Sequence, residues 1–408
     1  MNNLVKNFFI IKSRFCFNLS FLNIIKKILL YPKNYKNNYC KILTSKLRAF
    51  YPDSNIFFFN HGRSGFFKLL KYFDKRSKKK VLINSLTLFE MINMIIYAEY
   101  EPVFVDNKKD SFETNTIDLI DKYQDEIGFV VITHLNGLNN EIFKVKKKID
   151  EINKNRDLPN KIFLVEDTAV SFGAKDKDIF CGYIGDFSIL SFNIMKNITS
   201  LTGGALIDNL KVINFENIDK SLKQVSIMDN LKKILFVFLL QFLNSRLIFP
   251  FFFIIVKFAF KKNIVLFLRK YRTDFQTYLS KKIPQDFLKG LSNFQLFLLT
   301  EQLENVELNN RIRTENALYL YKHLKNNKDL IFPQSEFDMR NIYIDFPILC
   351  KNKEYKDHIF KKSFENFVDI KNYYYKSCDT QNVYSKYHKL DCKNANFISE
   401  NILMLPVN

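Results

Sequence analysis

Residues 163–209 read FLVEDTAVSFGAKDKDIFCGYIGDFSILSFNIMKNITSLTGGALIDN. An apolar run ends in Glu166 and Asp167, SFNIMK brings Lys196, and Gly203 and Gly204 follow. Taken singly, these are a strand end, a surface lysine and a turn. Taken together, a carboxylate at a strand end and a lysine further on, in an apolar and Gly-bearing stretch, indicate a buried site built for a cofactor.

Working outward, the chain alternates strand and helix from residue 55 onward. The apolar runs at 56–59, 81–83, 102–105, 129–132 and 162–165 read as strands. Amphipathic spacing at 62–72, 88–97, 117–123 and 142–152 reads as helices. Continuous apolar strands between amphipathic helices predict a mostly parallel sheet covered on both faces. Functional groups belong at its strand ends and helix starts. Asp106, His134 and Asp167 stand at such ends.

A chain of 408 residues with 47% hydrophobic content is globular and long enough for more than one domain. Its formal charge of +20 raises nucleic acid as a partner. The lysines are spread along the chain, and no zinc-finger spacing or RNA-binding signature appears, so anionic substrates or anionic lipid are the expected partners and nucleic acid is not. Trp is absent while Phe reaches 44, a bias read as that of an AT-rich genome. The six cysteines form no CxxC pair, which argues against a disulfide framework or a zinc site and for a reducing compartment. The apolar run at 8–11 is too short for a signal-peptide core, so secretion is not expected.

Two further segments stand out. FLNIIKKILLY at 21–31 has helical spacing. Residues 234–243 and 247–260, ILFVFLLQFL and LIFPFFFIIVKFAF, fall short of the roughly 18 residues of a spanning helix. They read as two short helices lying on a membrane face or buried in a dimer interface. Lys232, Lys233, Lys257, Lys261, Lys262, Arg269 and Lys270 flank them and suit an anionic surface. Residues 291–324 read as one long helix or a helical pair, and 343–349 and 355–366 as a strand and a helix of a smaller α/β unit.

VEDTAVSFGA followed by GDFSILSFNIMKNITSLTGG resembles the EDxAxxxGA and SFxxxKxxxxxxGG blocks of the DegT/DnrJ/EryC1/StrS family of sugar aminotransferases. NHGRSGFFKLL (60–70), THLNG (133–137), LSNFQ with EQL (291–303) and SENILMLPV (399–407) are weaker matches. The resemblance implies a pyridoxal-phosphate (PLP) dependent transferase of fold type I, with a mostly parallel sheet in a large domain and a smaller C-terminal α/β domain. The division it suggests is a helical segment at 1–50, a PLP-binding domain at 51–225, an apolar helical insertion at 226–290 and a small domain at 291–408.

The resemblance also implies roles. Lys196 is the Schiff-base lysine, since a buried lysine has a lowered pKa and acts as nucleophile and base. Asp167 pairs with the ring nitrogen and keeps it protonated. Gly62, Arg63 and Ser64, between a strand and a helix, form the phosphate cup with Ser191. Leu88 falls near where the family often stacks an aromatic on the ring, and Phe89 is adjacent. Glu166 is expected to face the other side of its strand. His134 reads as structural or as orienting cofactor or substrate, and Cys181 as packing.

Three features depart from the family pattern: Val170 where Gln or His is usual, Phe287-Leu288-Lys289-Gly290 where Asn-x-Arg reaches a partner subunit's site, and an end at Asn408 where further residues are expected. The implied function is transfer of an amino group, from glutamate, to a nucleotide-linked keto sugar for surface polysaccharide or glycan synthesis. A cytoplasmic homodimer is expected, in peripheral contact with the inner face of the membrane through 234–260. The alternatives are a non-catalytic PLP-binding or membrane-associated relative, and a dehydratase of the same scaffold, which would carry histidine in place of Lys196.

Overall fold

The computed structural model describes residues 13–15, 17–34, 36–135, 137, 141–176, 178–214, 222–262, 264, 277–332, 341–372 and 375–407. Residues 8–11, Asn136, Arg269 and Lys270 lie outside them. Helices α1 (Phe21–Asn34) and α2 (Tyr39–Leu47) lead into β1 (Asn55–Phe59), α3 (Gly62–Tyr72), β2 (Lys80–Asn84), α4 (Phe89–Tyr97) and β3 (Glu101–Val105). Then come α5 (Thr116–Tyr123), β4 (Ile127–Thr133), α6 (Glu141–Asn153), β5 (Phe163–Asp167), β6 (Phe187–Ser191) and β7 (Gly204–Asp208). The second half holds α7 (Ile227–Leu243), α8 (Phe249–Lys261), α9 (Asn293–Thr300) and α10 (Val306–Leu324). It ends with β8 (Asp345–Cys350), α11 (Lys353–Glu365), α12 (Lys393–Asn401) and β9 (Ile402–Pro406).

Strands β1 to β7 form one sheet in the order β1-β7-β6-β5-β4-β2-β3. All run parallel except β7, which is antiparallel to both β1 and β6. Side-chain alternation sorts the strands' residues between two layers. Phe129, Val131, Phe163, Val165, Phe187 and Ile189 meet α3 and α4 on one face. Val130, Ile132 and Leu164 meet α5 and α6 on the other. Phe129, Phe163 and Phe187 are fully buried, each contributing about 2–3 kcal/mol of apolar burial.

The outer end of the sheet, at β1 and β7, is covered by α1, α2, α7 and α9 through Ile24, Leu43, Ile234, Val237 and Leu298. Strands β8 and β9 pair antiparallel in a second, three-stranded sheet with the short strand Leu330–Ile331. Helices α8, α10 and α11 pack on it through Phe253, Val256, Ala317, Phe360 and Phe364. The C-terminal part docks on the carboxyl edge of the large sheet. There Asp106, just beyond β3, accepts the Asn394 and Ala395 N–H groups (3.2 and 2.8 Å) at the start of α12. Ser85, just beyond β2, donates to Asp379 (2.7 Å). Of the three strand-end candidates, Asp106 therefore holds a helix start.

The helical segment at 291–324 is a pair. A 3-10 turn, Gln302–Asn305, separates α9 from α10. Helix α7 begins earlier than its apolar run, at Ile227, because Ser226 Oγ accepts the Asp229 N–H (3.0 Å) as an N-cap.

A close backbone approach joins β7 to α3. A Cβ on Gly204 would stand 2.2 Å from Gly62 N and 2.5 Å from Leu190 O. Gly204→Ala is expected to lower stability by about 2–3 kcal/mol through overpacking, read as a lower urea midpoint. An unchanged midpoint would contradict this contact.

Candidate active site

Alternation decides which strand-end groups meet. Asp167 follows Phe163 and Val165, and Ser191 follows Phe187 and Ile189, so both lie on the face covered by α3 and α4. The pairing of Asp167 with Ile189 keeps β5 and β6 in register at that edge. Helix α3 starts there as well, with Gly62 tucked against Leu190 O and His61 bridged to Gly203.

The loop after β6 carries Lys196, which is half-buried. Burial pulls its amine down to about 8 from the ordinary 10.5, with Asp167 opposing and Lys371 and Arg63 assisting. Burial likewise raises the Asp167 carboxyl, while the Ala169 N–H (3.1 Å), Lys196 and His134 hold it down. Lysine and aspartate thus stabilise each other's charge in a site that penalises both. A salt bridge between Lys371 and Asp345 (2.5 Å) brings the C-terminal part into the same electrostatic field.

The start of α3 is rich in donors. His61 gives no side-chain cap and turns its ring to Asp286 (3.2 Å) instead. Ser64 Oγ and Arg63 Nε are buried and have no hydrogen-bond partner among the described residues. The Arg63 guanidinium lies over the Phe287 ring (4.4 Å to its centroid) and 3.5 Å from Glu90. A helix N-terminus with an unanswered hydroxyl and guanidinium nitrogen fits a phosphate. The residues present therefore fit PLP: donors at α3 for the phosphate, Asp167 for the ring nitrogen and Lys196 for the aldehyde. Ser191 lies half-buried at the same edge, and Leu88, just before α4, packs on the core beside it. Val170 is half-buried in the turn after Asp167 and has no polar group to offer.

Glu166 points to the opposite face, as alternation requires. Its oxygens accept N–H groups from Gly182 (2.8 Å), Ile184 (2.8 Å) and Gly185 (2.5 Å). His134 Nε2–H donates to it at 3.0 Å. Burial opposes charge on His134, but Cys181 and Glu166 outweigh it and hold the imidazole up at about 10. Burial raises the Cys181 thiol. Although His134, Glu166 and Cys181 are close enough to hold an ion, Glu166 is already taken up by backbone donors. The trio is a support beneath the site.

Several residues that sequence reasoning missed hold the lysine loop. Asn18 Nδ2 donates to Lys196 O (2.6 Å) and Asn197 O (2.9 Å). Gln302 pairs with both backbone groups of Thr199 (2.9 and 2.8 Å), and Gln295 donates to Ser200 O (3.2 Å) and Thr202 O (3.1 Å). These contacts hold Leu201 at φ +72°, an unfavourable conformation for a branched residue. The LSNFQ and EQL blocks were the available signal for the two glutamines. Nothing in the sequence marks Asn18, Glu90, Asp345 or Lys371. The Phe287–Gly290 segment packs on this chain's own Arg63, with Lys289 paired to Asp286 (3.1 Å) and Asp229 (3.2 Å).

Lys196 makes a pH prediction for the cofactor-free protein. Its folded pKa lies below the unfolded value, so the cost of burying the ammonium is fully felt below about 8 and disappears towards 10.5. Lys196→Met is expected to raise the urea midpoint most at pH 7 and to lose that advantage as pH rises across this window. An advantage that does not change with pH would contradict it.

The family profile of the DegT/DnrJ/EryC1/StrS aminotransferases matches residues 33–216 and 271–408. The chain is 31% identical over 134 residues to GDP-perosamine synthase of Escherichia coli, covering 33% of this chain and 35% of that protein. It is 27% identical over 144 residues to GDP-perosamine synthase of Vibrio cholerae, covering 35% and 36%. The matched stretches thus span about a third of these relatives' length. Among solved structures, PseC of Helicobacter pylori, an aminotransferase involved in the biosynthesis of pseudoaminic acid, superposes with a TM-score of 0.66 at 16% identity, covering 93% of this chain and 90% of that one. An Escherichia coli GDP-4-keto-6-deoxy-D-mannose-3-dehydratase with bound hydrated PLP superposes with a TM-score of 0.66 at 14% identity, covering 93% and 91%. These superpositions show the shared fold, and the profile match over most of the chain shows that it belongs to the DegT/DnrJ/EryC1/StrS aminotransferase family, whose cofactor is pyridoxal phosphate.

Proposed function

We propose that the protein is a PLP-dependent aminotransferase that moves an amino group, from glutamate, to the ketone of a nucleotide-linked sugar destined for surface polysaccharide or glycan. The observation that carries this is the meeting of Asp167 and Lys196 with the donor-rich start of α3 at one sheet edge. When bound, PLP supplies an aldehyde that takes up an amine and a ring that draws electrons from the neighbouring carbon.

The chain's own groups then have these tasks. Asp167 keeps a proton on the ring nitrogen. Ser64, Arg63, Gly62 and Ser191 hold the phosphate, and Leu88 borders the ring. Lys196 Nζ takes and returns the proton, and an amine near pH 8 is suited to both directions. Val170 brings no donor to the ring oxygen, so the ring relies on Asp167 and the phosphate contacts for its orientation. The basic surface suits a sugar diphosphate. A nucleotide-sugar substrate fits a cytoplasmic enzyme, and a homodimer completes the reading.

A second reading, a non-catalytic PLP-binding relative, is favoured by one observation: Arg63 is engaged by Glu90 and Phe287 of its own chain. The visible spectrum separates the two. With PLP the wild type is expected to turn yellow, while Lys196→Ala loses the lysine-linked absorbance. Added glutamate should shift the wild-type spectrum, about a hundredfold or more faster than in the variant. A protein that takes up no PLP overturns both readings, and one that turns yellow but ignores amino donors supports the second.

A further inference from the structure

Helices α7 and α8 are rich in apolar residues, yet each buries one stripe only. Ile234 and Val237 of α7 enter the core against α9, and Phe253 and Val256 of α8 enter the core against α11. The opposite stripe of α7, Leu231, Leu235, Leu239 and Phe242, is 46–66% exposed at helical spacing. On α8, Ile255 and Phe258 are 56% and 57% exposed. Scattered exposed apolar residues are ordinary, but a continuous stripe on consecutive helices is a contact surface. Both helices fall within residues 217–270, which the family profile passes over. The surface lies outside the stretches that the family profile matches and apart from the residues of the catalytic reading.

The charge around it selects the occupant. Lys232, Arg246, Lys261 and Lys262 are exposed on or beside the two helices. The single acidic side chain in their sequences, Asp229, is paired with Lys289 (3.2 Å). In a two-fold contact between copies, a basic rim of this kind would meet itself. No helix among the described residues is long and apolar enough to cross a membrane. Short amphipathic helices with a basic margin lie in the plane of an anionic lipid surface instead. From this we infer that α7 and α8 form a monotopic docking face for anionic membrane, with the apolar stripes seated among the acyl chains and the four cations at the headgroups.

The test is sedimentation of the full chain with phosphatidylcholine vesicles, with and without phosphatidylglycerol, alongside its oligomeric state in solution. Binding is expected with phosphatidylglycerol, weakening as salt rises. The double variant Leu235→Glu with Leu239→Glu should abolish it. Lys261→Glu with Lys262→Glu, which touches no core, should weaken it about tenfold or more. Equal binding to both vesicle types, or binding unchanged in both variants, overturns the proposal. So does a chain that stays in the supernatant, whether as a dimer split by the leucine variants, in which case a second copy covers the face, or as a monomer.

Discussion

Both oxygens of Glu166 are taken: Oε2 by the Gly182 N–H and His134, and Oε1 by the Ile184 and Gly185 N–H groups. The side chain has no exposure, so loss of any partner would leave a buried polar group unanswered, and breaking such a buried pair costs about 3–5 kcal/mol. Residues 182–185 lead into β6, so Glu166 sets how β6 lies against β5. That register sets Ile189 opposite Asp167, puts Ser191 two residues further along the same face, and starts the lysine loop at that edge. The face of the sheet that carries Asp167 and Ser191 is thus fixed from behind. One residue of the dipeptide anchors the opposite face, and its neighbour enters the pocket.

The lysine loop needs a second set of restraints because it has little regular structure of its own. Asn18 reaches it from the N-terminal segment, and Gln295 and Gln302 from α9 and the turn after it, and each bonds to backbone. Bonds to backbone hold the path of the loop and leave the Lys196 side chain to its electrostatic surroundings. Those surroundings draw on the C-terminal part as well, through Lys371 and Asp345. Asn18 lies in a segment that also meets α7, where Gln241 Nε2 donates to Leu19 O (2.6 Å), and that fastens Arg14 to Asp369 and Ile370. The N-terminal residues therefore tie α7, the segment at Asp369 and Ile370 and the lysine loop together.

The large sheet was legible because its strands are buried on both faces and its helices are amphipathic, two patterns that local sequence must show. Asp167 was legible as a strand end, and the turn of Glu166 to the opposite face from alternation, whereas Ser191 and the start of α3 were singled out by the family resemblance, since 187–191 was not read as a strand. The start of α7 was also written in the chain, as Ser226 three residues before Asp229. Pairing across the chain was not legible. Asn18 to Lys196, Lys371 to Asp345 and Phe287 under Arg63 join residues 178, 26 and 224 positions apart, and no local pattern reports such distances. The break at Gln302–Asn305 was hidden too, since helical periodicity continues through it while Gln302 turns to Thr199.

Everything in the catalytic account converges on one nitrogen, Lys196 Nζ, facing Asp167 across the site. The most direct measurement is a peptide map of the protein loaded with PLP and reduced with borohydride. The account predicts a single pyridoxyl phosphate adduct, on the peptide that contains Lys196, and a sharp loss of that adduct's yield in Asp167→Ala. An adduct spread over surface lysines, or one placed on another lysine, would contradict it.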